Sequence, residues 1–269
     1  MELKDVIWEE DGGVVTLTMN RPHKLNAQSM DMMDSLVAAF EEVERNDDIK
    51  CVIWTGAGRA WSAGRDFSDP KLAGVAPYGP EFPRGTRLLP LSLGGQLQYA
   101  LWRCRKPVIG AFNGHALGGA LSAGLMCDFR IASEDAKLGA LFVKRGRVPD
   151  NGGIYFLVKI MGLGPALEFM YSGEIIDAER SLELGLVNRV VAADQLLPAC
   201  REIAEQIASG PSLAIEFMKK IAFRTFEGDS FDSITAYEAF AQSVCEASED
   251  GEEGVRSFQE KREPRFKGR

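Results

Sequence analysis

Apolar and polar positions alternate along Val14–Met19, with Val15, Leu17 and Met19 on one side and Thr16 and Thr18 on the other. That period of two predicts a half-buried strand, ended by Asn20-Arg21-Pro22. After Ser29, apolar residues recur at helical spacing (Met33, Leu36, Val37, Phe40, Val43), so a helix is predicted through DMMDSLVAAFEEVER. Cys51–Thr55 is a short all-apolar run and reads as a buried strand. Gly56 to Asp66, GAGRAWSAGRD, follows as a glycine-rich loop. A further apolar run at Pro107–Phe112 predicts another strand, broken by Asn113-Gly114, and Gly118-Gly119 opens a small-residue helix over Ala120–Met126. Strand, helix, strand in this order predict right-handed crossover units stacked in sequence.

Between Phe67 and Gln96 the composition shifts to proline and glycine, which cannot sustain a regular element. Loops this long are usually functional or disordered, and 67–96 is read as a flap beside the active site, with a plain surface loop as the alternative. Leu97–Cys104 is predicted helical and Phe129–Ala132 a strand. A basic stretch around Lys144, Arg145 and Arg147 leads to Pro149-Asp150-Asn151-Gly152-Gly153, which opens a helix running through Met161. Gly162 and Gly164 end it. Helix over Ala178–Leu184 and strand over Leu186–Val191 follow. Beyond Asp194 the chain reads as helices at Gln195–Ala208, Leu213–Arg224 and Phe231–Ala247, with a charged tail from residue 250. The organisation expected is a core over 1–193 and a helical region over 194–269.

Composition narrows the partners. With 269 residues, 45% of them hydrophobic, the chain has the make-up of an ordinary globular protein. A formal net charge of −8 leaves no global basic field to attract nucleic acid or an anionic membrane. Five cysteines, without CxxC spacing, point to reduced buried thiols, and two histidines make a histidine-based metal site a poor expectation. No signal peptide or membrane-length apolar run is visible, so a cytoplasmic location is expected.

Candidate chemistry is sparse. There is no G-x-S-x-G, no P-loop and no histidine with an evident acid partner, and Ser122 reads as a packing serine. Two features remain. A strand running into the Gly118-Gly119 helix start leaves backbone N–H groups free to meet a developing negative oxygen, although glycine pairs also serve close helix packing. Asp150 stands at a helix start, where an aspartate can act as a base or merely as an N-cap.

The segments NRPHKLNA, GAGRAWSAGRD, KPVIGAFNGHALGGALSAGLMCD, VPDNGG and SGEIIDAERSLELGLVNRVV occur in one order that resembles the crotonase (enoyl-CoA hydratase/isomerase) superfamily, and the tail SFQEKREPRF resembles its terminal helix. The resemblance implies an α/β spiral of β-β-α repeats with a C-terminal helical region that acts on acyl-coenzyme A thioesters. It implies a homotrimer or hexamer, the CoA pocket borrowing residues from a neighbour, and no permanently bound cofactor. It puts the backbone N–H groups of Arg65 and Gly119 in an oxyanion hole, with the positive end of the helix dipole behind Gly119. CoA contacts are expected from Lys24 near the phosphates, Ala63 and Asp66 near the adenine, and Phe258 and Lys261 on the last helix.

The departures from that pattern choose the reaction. The two glutamates between which the family's hydratases hold water correspond here to Ser122 and Phe142, neither of which can act as a carboxylate base. Asp150 falls where double-bond isomerases of the family carry their acid. The expectation is therefore an isomerase with Asp150 as single acid/base and Phe142 as an apolar wall. An atypical hydratase, a hydrolase or dehalogenase using Asp150 as nucleophile, and a non-catalytic acyl-CoA binder are the alternatives.

Overall fold

The chain begins with a hairpin that the sequence pattern did not announce. In the computed structural model, which describes residues 2–72 and 96–268, β1 (Val6–Asp11) pairs antiparallel with β2 (Val14–Met19) across Gly12-Gly13. β1 escapes a periodicity reading because Glu9, Glu10 and Asp11 fill its second half. It can carry them because it is an edge strand, with most of its side chains open to solvent.

Ser29 then caps α1 (Met30–Arg45), its hydroxyl accepting from the Met32 N–H at 3.2 Å. Met32, Leu36, Ala39, Phe40 and Val43 make the buried stripe of that helix, while Met33 and Val37 lie at its margin. The chain returns as β3 (Cys51–Gly56), which lies parallel to β2 and is buried along its whole length.

From here a unit repeats. One strand joins a large sheet, a three-residue strand joins a small one, and a helix follows. β3 is followed by β4 (Ala60–Ser62), inside the stretch expected to be only a glycine loop. Of the expected flap over 67–96, residues 73–95 lie outside the described residues. Pro70–Leu72 form a single 3-10 turn, and α2 (Gln96–Arg103) follows at the predicted helix. Next come β5 (Val108–Phe112), β6 (His115–Leu117) and α3 (Gly119–Gly124). β7 (Phe129–Ser133), β8 (Lys137–Gly139), a 3-10 turn over Leu141–Arg145 and α4 (Gly153–Met161) complete the third unit. The short strands β6 and β8, like β4, are too brief to show alternation in sequence.

Gly162 ends α4 as expected, but α5 (Leu163–Ser172) starts at once, with Gly164 inside it. β9 (Ile175–Asp177), α6 (Ala178–Glu183) and β10 (Arg189–Val191) close the spiral. The large sheet has the order β1-β2-β3-β5-β7-β10, parallel except for β1, and the small sheet β4-β6-β8-β9, parallel except for β9. This is the expected α/β spiral of β-β-α repeats.

Four helices follow: α7 (Leu196–Ala208), α8 (Ser212–Glu227), α9 (Phe231–Glu246) and α10 (Glu249–Glu260). The first of them belongs with the sheet, because Leu196, Cys200 and Ala204 of α7 pack on Val14, Cys51, Ile53, Ile109, Ala111 and Ile131. The boundary expected at residue 194 therefore falls in front of a helix that covers one face of the core.

On the other face Trp54, Trp61 and Phe112 pack in series, the first pair edge to face and the second tilted, with centroids 4.7 and 4.8 Å apart. This aromatic cluster dictates the small residues of α3. A Cβ on Gly124 would come within 2.6 Å of Phe112 and 3.1 Å of Trp61. The five cysteines are free and four are buried, and burial pushes the Cys127 thiol up to about 12.

An ionic network ties α8 to the start of β5. Lys106, 2% exposed, meets Glu216 at 2.9 Å, Arg105 meets the same carboxylate at 2.7 Å, and Lys219 meets Asp128 at 2.9 Å.

Candidate active site

Three turns of the spiral converge on one place. The first brings the loop after β4, the second the start of α3, and the third the segment in front of α4. Gly64, at φ +86°, lies so close to the end of β6 that a Cβ there would be 2.6 Å from the Leu117 carbonyl oxygen and 3.5 Å from the Gly119 nitrogen. Only glycine permits that approach. It sets Arg65, the next residue, beside the start of α3.

Arg65 is held in place from the other side. Gln28 bridges it in parallel, the Gln28 N–H donating to Gly64 and the Asp66 N–H donating back to the Gln28 carbonyl. Those two bonds use the neighbours' groups and leave the Arg65 N–H turned away from Gln28. Among the described residues neither the Arg65 N–H nor the Gly119 N–H donates to an acceptor of the chain. Gly118 shapes the second donor: at φ +57° and ψ −128° it occupies a region open to glycine alone, and no atom lies within 4 Å of where its Cβ would be. Close packing thus explains Gly124, whereas Gly118 and Gly119 border open space. At six residues α3 is too short for its macrodipole to matter much, so the local N–H groups rather than the dipole carry the electrostatics.

Asp150 supplies the acid. Its carboxylate oxygen Oδ1 is 3.9 Å from the position of a Cβ on Gly119, and so is Nδ2 of Asn151. The N-cap alternative does not hold. Gly152 is the cap residue of α4 and makes no side-chain cap, and it is the main-chain carbonyl of Asp150 that accepts the Gly153 N–H, at 2.8 Å. Among the side chains of the described residues, the carboxylate accepts from Asn151 Nδ2, at 3.1 Å. Asp150 is open to solvent on one side in the single chain, yet the protein crowding its carboxyl raises the pKa above the ordinary carboxylate value. Burial outweighs the opposing effects of its own backbone hydrogen bond and of the Arg65 and Arg147 charges.

The other expected residues distribute as follows. Ser122 is buried on α3, and its hydroxyl fills the space against Gly153, where a Cβ would come within 2.4 Å. It has no base in hydrogen-bonding reach and so is no activated nucleophile. Phe142 is half-buried on the 3-10 turn of the third unit. Arg145 and Arg147 stack over the exposed Phe67 ring, their guanidinium carbons 5.5 and 5.1 Å from its centroid, and so join the loop after β4 to the segment before Asp150.

Lys24 and Asp66 come together through one residue. Lys24 Nζ donates to Ser68 Oγ at 3.0 Å, and Ser68 donates to Asp66 through its hydroxyl at 2.6 Å and its N–H at 2.9 Å. With Arg21 at 3.0 Å as well, these bonds hold the Asp66 carboxyl at about 2 and occupy it within the chain. The Ala63 N–H donates to Leu25 at 2.9 Å. Phe258 is 84% exposed on α10 and Lys261 caps that helix, and among the described residues neither joins the Asp150 cluster within the single chain.

Sequence reading missed Asn151, whose signal was an asparagine just before Gly152-Gly153. It also missed Gln28, whose buried Nε2 has no partner. No group of three or more His, Cys, Asp or Glu among the described residues could hold a metal ion, and no helix is long and apolar enough to cross a membrane.

Comparison with known proteins gives one consistent result. Residues 9–269 match the family model described as enoyl-CoA hydratase/isomerase. The chain is 35% identical to the short-chain-enoyl-CoA hydratase of Clostridium acetobutylicum over 263 residues, 97% of each chain. It is 34% identical to the 1,2-epoxyphenylacetyl-CoA isomerase of Escherichia coli, over 96% of each. The crystal structure of an enoyl-CoA hydratase from Bacillus anthracis superposes with a TM-score of 0.88 at 30% identity, covering 99% of this chain and 100% of that one.

Proposed function

The chain belongs to the enoyl-CoA hydratase/isomerase family, and from that premise we propose that it moves a double bond within an acyl-CoA thioester, with Asp150 as its single acid/base. The observation that carries this reading is the carboxylate of Asp150 beside Gly119, with Ser122 and Phe142 at the positions that correspond to the family hydratases' glutamates.

The thioester oxygen accepts hydrogen bonds from the Arg65 and Gly119 N–H groups. Asp150 removes a proton from C2 of a 3-enoyl thioester, and the electron pair moves onto the oxygen, giving a dienolate that the two amides stabilise more strongly than the neutral carbonyl. The electrons return to C2–C3, C4 takes up the proton from Asp150, and the double bond has moved into conjugation. A carboxyl with a raised pKa is the stronger base for this task. One carboxylate suffices because the proton leaves and returns on one face.

Hydration is the second reading, favoured by the hydratase names among the relatives. It requires a second carboxylate to hold the water, and Ser122 and Phe142 do not supply one. Attack of Asp150 on the acyl group and binding without turnover are further outcomes of the same test. The CoA portion is proposed to lie along Lys24, Ala63 and Asp66, with Phe258 and Lys261 contributed at a subunit boundary of a trimer or hexamer. The exposure of Phe231, Phe240, Val255 and Phe258 on α9 and α10 supports an assembly through these helices.

The test sets 3-enoyl-CoA isomerisation against crotonyl-CoA hydration, with C2 deuterium incorporation followed in heavy water. Isomerisation with Asp150-dependent exchange is expected. Hydration without isomerisation, or thioester hydrolysis without C2 exchange, would overturn the reading.

A further inference from the structure

We propose that Asn151 is a positioning residue for Asp150, its side-chain amide holding the carboxylate against Gly119. This rests on the reading of Asp150 as the base.

Asn151 is one of five non-glycine residues with positive φ among those described, at +55°. Asparagine tolerates the left-handed region better than most residues, but its side chain is not needed to make the turn, since glycine makes it at less cost. Gly152 follows at φ +81°, so two consecutive left-handed residues swing the chain sharply between the acid and α4. The consequence is that two neighbouring side chains, which would diverge in a strand, converge. Nδ2 of Asn151 lies 3.1 Å from Oδ1 of Asp150, and both atoms lie 3.9 Å from the Cβ position of Gly119.

A carboxylate only accepts hydrogen bonds, so the group Asn151 turns toward it is its amide donor. Among the described residues no other side chain donates to Asp150. The charged groups that face Asp150 are Arg65 from the loop after β4 and Arg147 from its own segment, and α3 brings no charge. Beside the bond to its own backbone, Asn151 is thus the side-chain donor that fixes the direction of the carboxylate. A misplacement of about 1 Å in such a group can cost 10²-fold in rate.

Asn151→Gly keeps the backbone conformation and removes only the amide. Asn151→Asp keeps the shape and turns the donor into a second carboxylate. The Asp150 carboxyl is titrated by NMR on aspartate labelled with carbon-13 at the carboxyl, assigned by its loss in Asp150→Asn. Removing a donor to the charged form moves the midpoint up, so the expected order is wild type, then Asn151→Gly, then Asn151→Asp. On trans-3-hexenoyl-CoA, Asn151→Gly should lose about tenfold in kcat with KM little changed. An unshifted midpoint with wild-type kcat in Asn151→Gly would overturn the proposal, as would failure of that variant to fold, which would make Asn151 a turn residue. If Asp150→Asn retains wild-type turnover, the base reading falls instead, while the titration still reports the contact by itself.

Discussion

Asp150 and Gly119 face each other across two successive turns of the spiral, the carboxylate oxygen 3.9 Å from where a Cβ on the glycine would stand. The pairing follows from the repeat. Each β-β-α unit delivers its helix start to the same side, so α3 and the segment before α4 meet where the small sheet ends. A side chain at residue 119 would stand between the proposed base and the free N–H of the proposed oxyanion hole. The absence of a side chain there is therefore as much part of the site as the carboxylate.

Gly119→Pro removes one of the two proposed donors and sets its ring beside the Asp150 carboxylate. Residue 119 is the first of α3, where proline is well tolerated, and the nearest atoms to its Cβ position, Asp150 Oδ1 and Asn151 Nδ2, lie at ordinary contact distance, 3.9 Å away. Turnover should fall by about 10²–10³ with the fold retained, the loss typical for one oxyanion donor. A folded Gly119→Pro enzyme with wild-type kcat would remove Gly119 from the mechanism.

The long elements were legible because their patterns were long. α1 carries its stripe over 16 residues and a serine cap, and β2 alternates from Val15 to Met19. The three-residue strands β4, β6 and β8 were not, since such a segment has no period to show. Their hydrogen bonds come from strands far apart in sequence. Asp150 and Gly119 could be singled out one by one, the acid by a family resemblance and the glycine by its setting. Their adjacency could not, because it depends on how consecutive turns of the spiral stack. Asn151 was overlooked for a related reason: its role comes from a left-handed backbone that makes neighbours converge, and Asn before Gly-Gly reads in sequence as ordinary turn chemistry.

Glu216→Ala should be among the more destabilising single changes. Lys106 is 2% exposed, its ammonium meets Glu216 at 2.9 Å, and its other carboxylate, Asp47, is 3.7 Å away and largely in solvent. Removing one partner of a buried pair leaves an uncompensated charge, at a cost of about 3–5 kcal/mol. Glu216→Gln, which keeps an acceptor, should cost less. Denaturant midpoints at one protein concentration measure both, and an unchanged midpoint in Glu216→Ala would show that Lys106 reaches water without its partner.

Assembly can be separated from folding at Phe258. The ring is 84% exposed in the single chain, so truncating it should leave the melting temperature nearly unchanged. If it lines a neighbour's CoA site in a trimer, Phe258→Ala should raise KM for an acyl-CoA by about tenfold, roughly the value of one well-packed aromatic contact. Light scattering on the wild type should give a multiple of three chains. A monomer at working concentration, or an unchanged KM, would remove the shared pocket.

Asp150→Asn links catalysis to stability through one carboxyl. Loss of the proton acceptor should lower isomerisation by about 10²-fold or more, and with it C2 exchange. The stability effect has the opposite sign. The folded-state pKa of Asp150 lies above its unfolded value, so the native state holds this proton more tightly than the unfolded chain does. That contribution is fully present below the unfolded pKa and is lost as pH rises through the folded one, so the ionised carboxylate weakens the fold at neutral pH. The neutral amide of Asn escapes this penalty. Asp150→Asn should therefore unfold at a higher denaturant concentration than wild type at pH 7, with the difference vanishing in acid. Because the carboxylate does not cap α4, no lost cap works against the gain. An Asp150→Asn protein that is less stable than wild type at neutral pH would mean that the carboxylate supports the fold. One that still exchanges the C2 proton at the wild-type rate would place the base elsewhere.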